Sequence, residues 1–92
     1  MNTNTFIIIY DLSLPSVNYI RLTQLIQKFP GWAKIGQSAY IITTTLDDVK
    51  VRDSLLHALG PKDKLFVAKI SSPAAWFNLD IQVSNWIKTN LK

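Results

Sequence analysis

The chain has 92 residues, which suffices for one hydrophobic core, so we expect residues 1–92 to form a single domain. Hydrophobic residues make up 48% and charged residues 17%, a composition that excludes disorder driven by charge. The absence of cysteine excludes disulfides, thiolate metal centres and thiol nucleophiles. A net charge of +4 permits an anionic partner without indicating one.

The N-terminal residues and the longest apolar run bear on the location of the protein. The run from Phe6 to Tyr10 is far shorter than the roughly 20 residues needed to span a bilayer. Residues 1–5 lack the basic start and apolar stretch of a signal peptide, and we expect them to be disordered or frayed. We predict a cytoplasmic protein without a membrane partner. Because its surface carries few charges, we also expect a homodimer.

The N-terminal half predicts a strand, a helix and a hairpin. Residues 6–10 are apolar at successive positions, which is typical of a strand covered on both faces. A helix is expected from about residue 16 or 17 to 29, where five apolar residues share one face: Tyr19, Leu22, Leu25, Ile26 and Phe29. Residues 32–35 and 39–44, separated by the bend Gly36-Gln37-Ser38, indicate an antiparallel hairpin.

The C-terminal half predicts a helix, a strand and a final helix. We expect the second helix over about residues 46–59, with Thr45 as N-cap and Asp48 in a weaker form of the capping box. Residues 64–70 have the composition of a strand. The last helix is expected over residues 79–91, where these residues form one stripe: Leu79, Val83, Trp86, Ile87 and Leu91.

This order of elements matches the ferredoxin-like pattern with one helix appended. Right-handed crossovers would place the first and third strands in the middle of the sheet and both preceding helices on one face. Those two strands are also the most apolar. We therefore predict an α+β fold, a ferredoxin-like βαββαβ sandwich with a four-stranded antiparallel sheet and an extra C-terminal helix.

Asp11 is the main candidate for chemistry. It directly follows the apolar first strand, at the kind of strand end where ligands commonly bind. A carboxylate there can bind a hard cation such as Mg²⁺. The alternative, which the spacing favours, is a structural carboxylate that accepts hydrogen bonds from the turn at residues 12–15.

Two arginines are weaker candidates for nucleic-acid binding. Arg52 interrupts the apolar positions of the second helix, and we expect its stem to cover the core edge while its guanidinium pairs with Asp48. The alternative for Arg52 is a phosphate contact. Arg21 stands alone on the polar side of the first helix. The single histidine, His57, falls on a polar face, where we expect a solvated side chain rather than a catalytic one.

The strand end Tyr10-Asp11-Leu12, the helix after it, the Gly36-Gln37-Ser38 bend and the βαββαβ order together resemble the CRISPR-associated Cas-two family over about residues 6–70. Nearly the whole chain is similar to Cas-two-like proteins labelled SinR-family. That closer likeness is carried by Tyr10-Asp11-Leu12, Pro15, Tyr19, Trp32, Thr43-Thr44, Arg52-Asp53, Leu55, Asp63-Lys64-Leu65, Ala75-Trp76 and Trp86.

The resemblance implies a ferredoxin-like homodimer and, as in some members of the family, a metal-dependent endonuclease acting on RNA or DNA. Asp11 would be the catalytic residue and the metal ligand, with the Asp11 residues of two subunits holding one Mg²⁺. The chain departs from the family in having no basic residue over positions 12–20 and a predicted helix, not a fifth strand, over 79–91. A non-catalytic dimeric adaptor for nucleic acid or protein is the alternative, and a toxin-type ribonuclease of related fold is the third.

Overall fold

A computed structural model of the chain describes residues 3–13 and 15–92. Its four strands are β1 (Asn4–Asp11), β2 (Gly31–Gly36), β3 (Ala39–Thr44) and β4 (Lys64–Lys69). Its α-helices are α1 (Pro15–Ile26), α2 (Asp48–Leu55) and α3 (Ile81–Asn90), and a 3₁₀ turn over Leu56–Ala58 continues α2. None of these described helices has the length and apolar character needed to cross a membrane.

The four strands form one sheet in the order β2-β3-β1-β4, and every neighbouring pair is antiparallel. The two strands predicted to be central, β1 and β3, are the central pair. The structure thus confirms the predicted α+β class with a four-stranded antiparallel sheet, and it contains three α-helices.

The main core lies between one face of the sheet and the helices α1 and α2. Side chains alternate along a strand, so the even-numbered residues of β1 and β3 share this face. The buried cluster consists of Phe6, Ile8, Tyr10, Leu22, Ile26, Tyr40, Ile42, Val51, Leu55 and Ala58. Burying a large apolar side chain contributes about 1.5–3 kcal/mol, and residues from both helices enter the cluster. Both helices therefore cover the same face of the sheet.

The second helix is shorter than expected, and its predicted N-cap is wrong. Asp47, not Thr45, caps α2, because Asp47 Oδ1 accepts a hydrogen bond from the Lys50 backbone N–H at 2.8 Å. The preceding residues are held in a turn, since the Leu46 N–H donates to Thr44 Oγ1 at 3.2 Å and Asn4 Nδ2 donates to the Leu46 carbonyl at 3.1 Å. The helix starts only after this turn.

The second face of the sheet is partly covered by α3. This helix spans fewer residues than the predicted 79–91, since Asp80 caps it by accepting from the Gln82 N–H at 2.9 Å. Ile87 is its buried residue. Trp76 lies before the helix and donates from its indole N–H to Ser84 Oγ at 3.0 Å, which fastens the preceding loop to α3.

The N-terminal end of β1 differs from the predicted frayed segment over residues 1–5. Residues 1 and 2 lie outside the described residues, whereas Asn4 and Thr5 belong to β1 and pair with Thr44 and Thr43. The Thr5 carbonyl accepts from the Ile70 N–H at 2.9 Å, and Thr5 Oγ1 donates to the Asn90 carbonyl at 3.2 Å. These contacts from distant parts of the chain extend the strand.

Candidate functional site

Asp11 is the last residue of β1, and its side chain is exposed. It lies directly opposite Lys64 in the antiparallel pairing of β1 with β4. Among the described residues no hydrogen bond reaches the Asp11 carboxylate, although the turn of the structural alternative includes Leu14, which lies outside them. The structure therefore presents Asp11 as an accessible carboxylate at the edge of a sheet face.

A different aspartate, Asp63, holds the loop that follows β1. Its Oδ1 accepts from the backbone N–H and the hydroxyl of Ser13, at 2.8 and 3.0 Å. Its Oδ2 accepts from Asn18 Nδ2 at 2.8 Å and from the Gly60 N–H at 2.7 Å. The backbone donors Gly60 and Ser13 stabilise the carboxylate and lower the pKa of Asp63 from 3.8 to about 2. With both oxygens engaged, Asp63 is a structural residue.

Tyr10 fixes the end of β1 from the other side. Its backbone N–H donates to the Ser38 carbonyl at 3.0 Å, and its phenol donates to the Gln37 carbonyl at 3.2 Å. Burial raises the pKa of the Tyr10 phenol, and the nearby rings of Tyr19 and Tyr40 raise it further. Tyr10 therefore stays a neutral donor that ties the residue before Asp11 to the β2–β3 turn.

An exposed apolar pair lies beside Asp11. Ile9 and Phe66 are direct partners in the β1–β4 pairing, and 45% and 59% of their surfaces are exposed. Ile9 is two positions before Asp11 and Phe66 two after Lys64, so all four side chains lie on one face of the sheet. The sequence analysis did not identify this pair as a surface feature.

The two candidate arginines contact different elements. Arg21 is exposed and donates to the His57 carbonyl at 3.3 Å, which joins α1 to the 3₁₀ turn. Arg52 pairs with its neighbour Asp53 at 2.9 Å, so the predicted pairing with Asp48 is wrong. The buried residues of α2 are Val51 and Leu55, and this leaves Arg52 exposed rather than on the core stripe. His57 is exposed as well.

These contacts do not assemble a complete metal site in one subunit. Within residues 3–13 and 15–92, no group of three or more histidine or acidic side chains is placed to hold a metal ion. No described hydrogen bond or ion pair joins Asp11 to Arg21 or Arg52. A single subunit thus offers Asp11 as an accessible carboxylate, with Lys64 and an apolar pair next to it.

The comparisons with known proteins add no relative: no family model matches the chain, and no curated protein matches it.

Proposed function

We propose that this chain is a Cas-two-like protein of ferredoxin-like fold that acts as a homodimer, in which the two Asp11 residues form a Mg²⁺-dependent endonuclease site for RNA or DNA. The observation that carries the proposal is the exposed Ile9–Phe66 pair beside Asp11. The strand order β2-β3-β1-β4, with α1 and α2 on one face, supports the ferredoxin-like assignment.

The exposed pair indicates where a second subunit would bind. Two large apolar side chains in direct contact on a sheet face gain free energy when another surface removes them from water. A two-fold contact brings the same patch of both subunits together. Because Asp11 and Lys64 border the pair, the two-fold would set Asp11 of one subunit near Lys64 of the other and bring both Asp11 residues to one rim.

A pair of Asp11 carboxylates suits Mg²⁺ better than one subunit does. Mg²⁺ binds through one or two carboxylates and completes its six oxygen ligands with water and phosphate oxygens. Asp11 is exposed and has its carboxylate available, whereas both oxygens of Asp63 accept hydrogen bonds. Bound Mg²⁺ would polarise the phosphodiester and lower the pKa of a bound water. Tyr10 and the β2–β3 turn hold the backbone that presents Asp11.

A second candidate, a dimeric adaptor without catalysis, is favoured by the surroundings of Asp11. Lys64 lies directly across from Asp11 and neutralises part of its charge. Residues 12–20 contain no lysine or arginine, so the first helix offers little attraction for a phosphate backbone. In this function the same dimer binds nucleic acid or protein and leaves it intact.

The substitution Asp11→Asn separates the two functions. It keeps the size and polarity of the side chain and removes the negative charge that a cation needs. We expect cleavage of RNA or DNA in Mg²⁺ to fall by orders of magnitude while the thermal midpoint stays unchanged. Asp53→Asn, at an exposed aspartate on α2, is the matched control and keeps full cleavage. Wild-type protein that leaves single- and double-stranded substrates intact in Mg²⁺ and Mn²⁺, from neutral to alkaline pH, contradicts the endonuclease and favours the adaptor.

A further inference from the structure

A polar pocket lies at the end of the sheet opposite Asp11. It is formed by the start of β1, the end of β3, the residues after β4 and the C-terminal residues, and its volume is about 410 Å³. Hydroxyl and ammonium groups predominate in its lining, which includes Thr5, Thr43, Ser71, Lys69 and Lys92. Thr5 is six residues from Asp11 on β1, about 20 Å along an extended strand, so the pocket is separate from the site of the proposed endonuclease.

The base of the pocket is a pair of buried threonines. Thr5 and Thr43 are direct partners on β1 and β3, and both are 7% exposed. Two positions along the strands, the corresponding partners are Ile7 and Ile41. Burying a hydroxyl costs free energy unless it is hydrogen-bonded, so this change from isoleucine to threonine places polar groups at a buried position next to a cavity.

The hydrogen bonds of the walls determine which groups can donate to a ligand. Thr5 Oγ1 donates to the Asn90 carbonyl, so its hydrogen is used within the protein. Among the described hydrogen bonds, the hydroxyls of Thr43 and Ser71 donate to no protein group, and a hydroxyl hydrogen rotates toward an acceptor. With the ammonium groups of Lys69 and Lys92, they give the pocket donors from several segments.

The charge of the lining selects the ligand. Lys69 and Lys92 are both cationic, and no aspartate of the described residues lines the pocket. Several donors around two positive charges suit an anion with several oxygen acceptors and two negative charges. Backbone hydrogen bonds hold the walls in place, from the Ile70 N–H to the Thr5 carbonyl at 2.9 Å and from the Ser72 N–H to the Lys92 carbonyl at 2.8 Å.

We propose that this pocket binds a phosphate monoester, as found in a mononucleotide or at the phosphorylated end of an oligonucleotide. Its volume is in the range of pockets that hold small ligands. The site does not depend on Asp11 or on dimer formation, since every group that forms it belongs to one subunit.

The test is an NMR titration of the backbone amides with inorganic phosphate, adenosine monophosphate and adenosine at constant ionic strength. We expect phosphate and the monophosphate to cause saturable shifts at Thr5, Thr43 and Ser71, and adenosine to cause none. Oligonucleotides with a 5′-phosphate or a 5′-hydroxyl then distinguish a free nucleotide from a nucleic-acid end as the source of the phosphate.

Substitutions assign the binding to this pocket. Lys69→Gln should weaken binding of the monophosphate by about tenfold, the effect of losing one charge-assisted hydrogen bond. Thr43→Val keeps the shape of the side chain and should weaken binding by a smaller factor. Lys28→Gln removes the same charge from an exposed residue outside the pocket and should leave the affinity unchanged. Shifts that do not saturate, or a folded Lys69→Gln variant with wild-type affinity, would overturn the proposal.

Discussion

Asp63 holds Ser13 by two hydrogen bonds to one carboxylate oxygen, although the two residues are 50 positions apart in the sequence. Ser13 follows the strand that ends at Asp11, and Asp63 precedes the strand that carries Lys64. The contact therefore ties the exit of β1 to the start of β4. This places the Asp11–Lys64 pair between two segments that are fixed to each other.

The lowered pKa of Asp63 predicts acid sensitivity. A folded-state pKa of about 2, below the ordinary 3.8, means that the ionised carboxylate stabilises the fold above the unfolded-state pKa. This contribution is lost as the pH falls from about 3.8 to about 2. We expect the thermal midpoint of the wild-type protein to fall over this window, and that of Asp63→Asn to be lower at neutral pH and less dependent on pH within it. Calorimetry across the window measures both.

Asp53→Asn is the control for this acid titration, because the exposed pair of Asp53 with Arg52 contributes little to stability. Its thermal midpoint should follow that of the wild-type protein at every pH. An Asp63→Asn variant with the full wild-type loss of stability in acid would show that other carboxylates cause it.

The N-cap of α2 predicts opposite results for two nearby residues. Asp47→Ala removes the acceptor for the Lys50 N–H and should lower the free energy of unfolding by about 1 kcal/mol. Thr45→Ala, at the position that the sequence suggested, should change it by less than about 0.5 kcal/mol, as for an exposed residue without such a role. Urea denaturation of both variants decides, and the reverse ranking would place the helix start at Thr45.

Two glycines on β2 should respond differently to alanine. A methyl group at Gly31 would overlap Thr43 Oγ1 and lie 3.3 Å from the Trp86 ring, so Gly31→Ala should destabilise the protein by about 1–3 kcal/mol. A methyl group at Gly36 would meet no atom within 4 Å, and Gly36 has no positive φ. Gly36→Ala should therefore be neutral or slightly stabilising. Equal losses in thermal denaturation would show that the close approach at Gly31 is unimportant.

The exposed pair predicts the effect of a surface substitution on assembly. If Ile9 and Phe66 form the dimer contact, Phe66→Ser should convert a dimer of twice the chain mass into a monomer in light scattering. Ile20→Ser is the matched control, since Ile20 on α1 is 56% exposed against 59% for Phe66. A wild-type protein that is monomeric at high concentration, or an Ile20→Ser variant that dissociates equally, contradicts this interface.

The local pattern was sufficient to predict most elements of the fold. The β3 bounds agree with the predicted residues 39–44, and Leu22 and Ile26 of the predicted stripe are buried in the core. The errors occur where long-range contacts extend or delay an element. Thr5 joins β1 because Ile70 and Asn90 bind it, and α2 starts late because Thr44 and Asn4 hold the turn before it.

The candidate site was less predictable. The position of Asp11 at a strand end follows from the sequence, but the binding of Ser13 by Asp63 depends on a contact between residues 50 positions apart. The proline-containing turn at Gly60 indicated a bend before Asp63 without showing which donors it would meet. The exposure of Phe66 depends on how far α3 extends over the sheet, which periodicity along β4 does not encode.

The pairing of β1 on both edges and its packing on both faces limits how the length of this chain can vary. Inserting or deleting one residue within β1 would exchange its faces, sending Tyr10 outward and turning Asp11 toward the apolar core. Length changes should therefore be tolerated in surface loops, such as residues 71–80, and rejected in β1. A library of single-residue insertions, scored for folded protein, would map this difference along the chain.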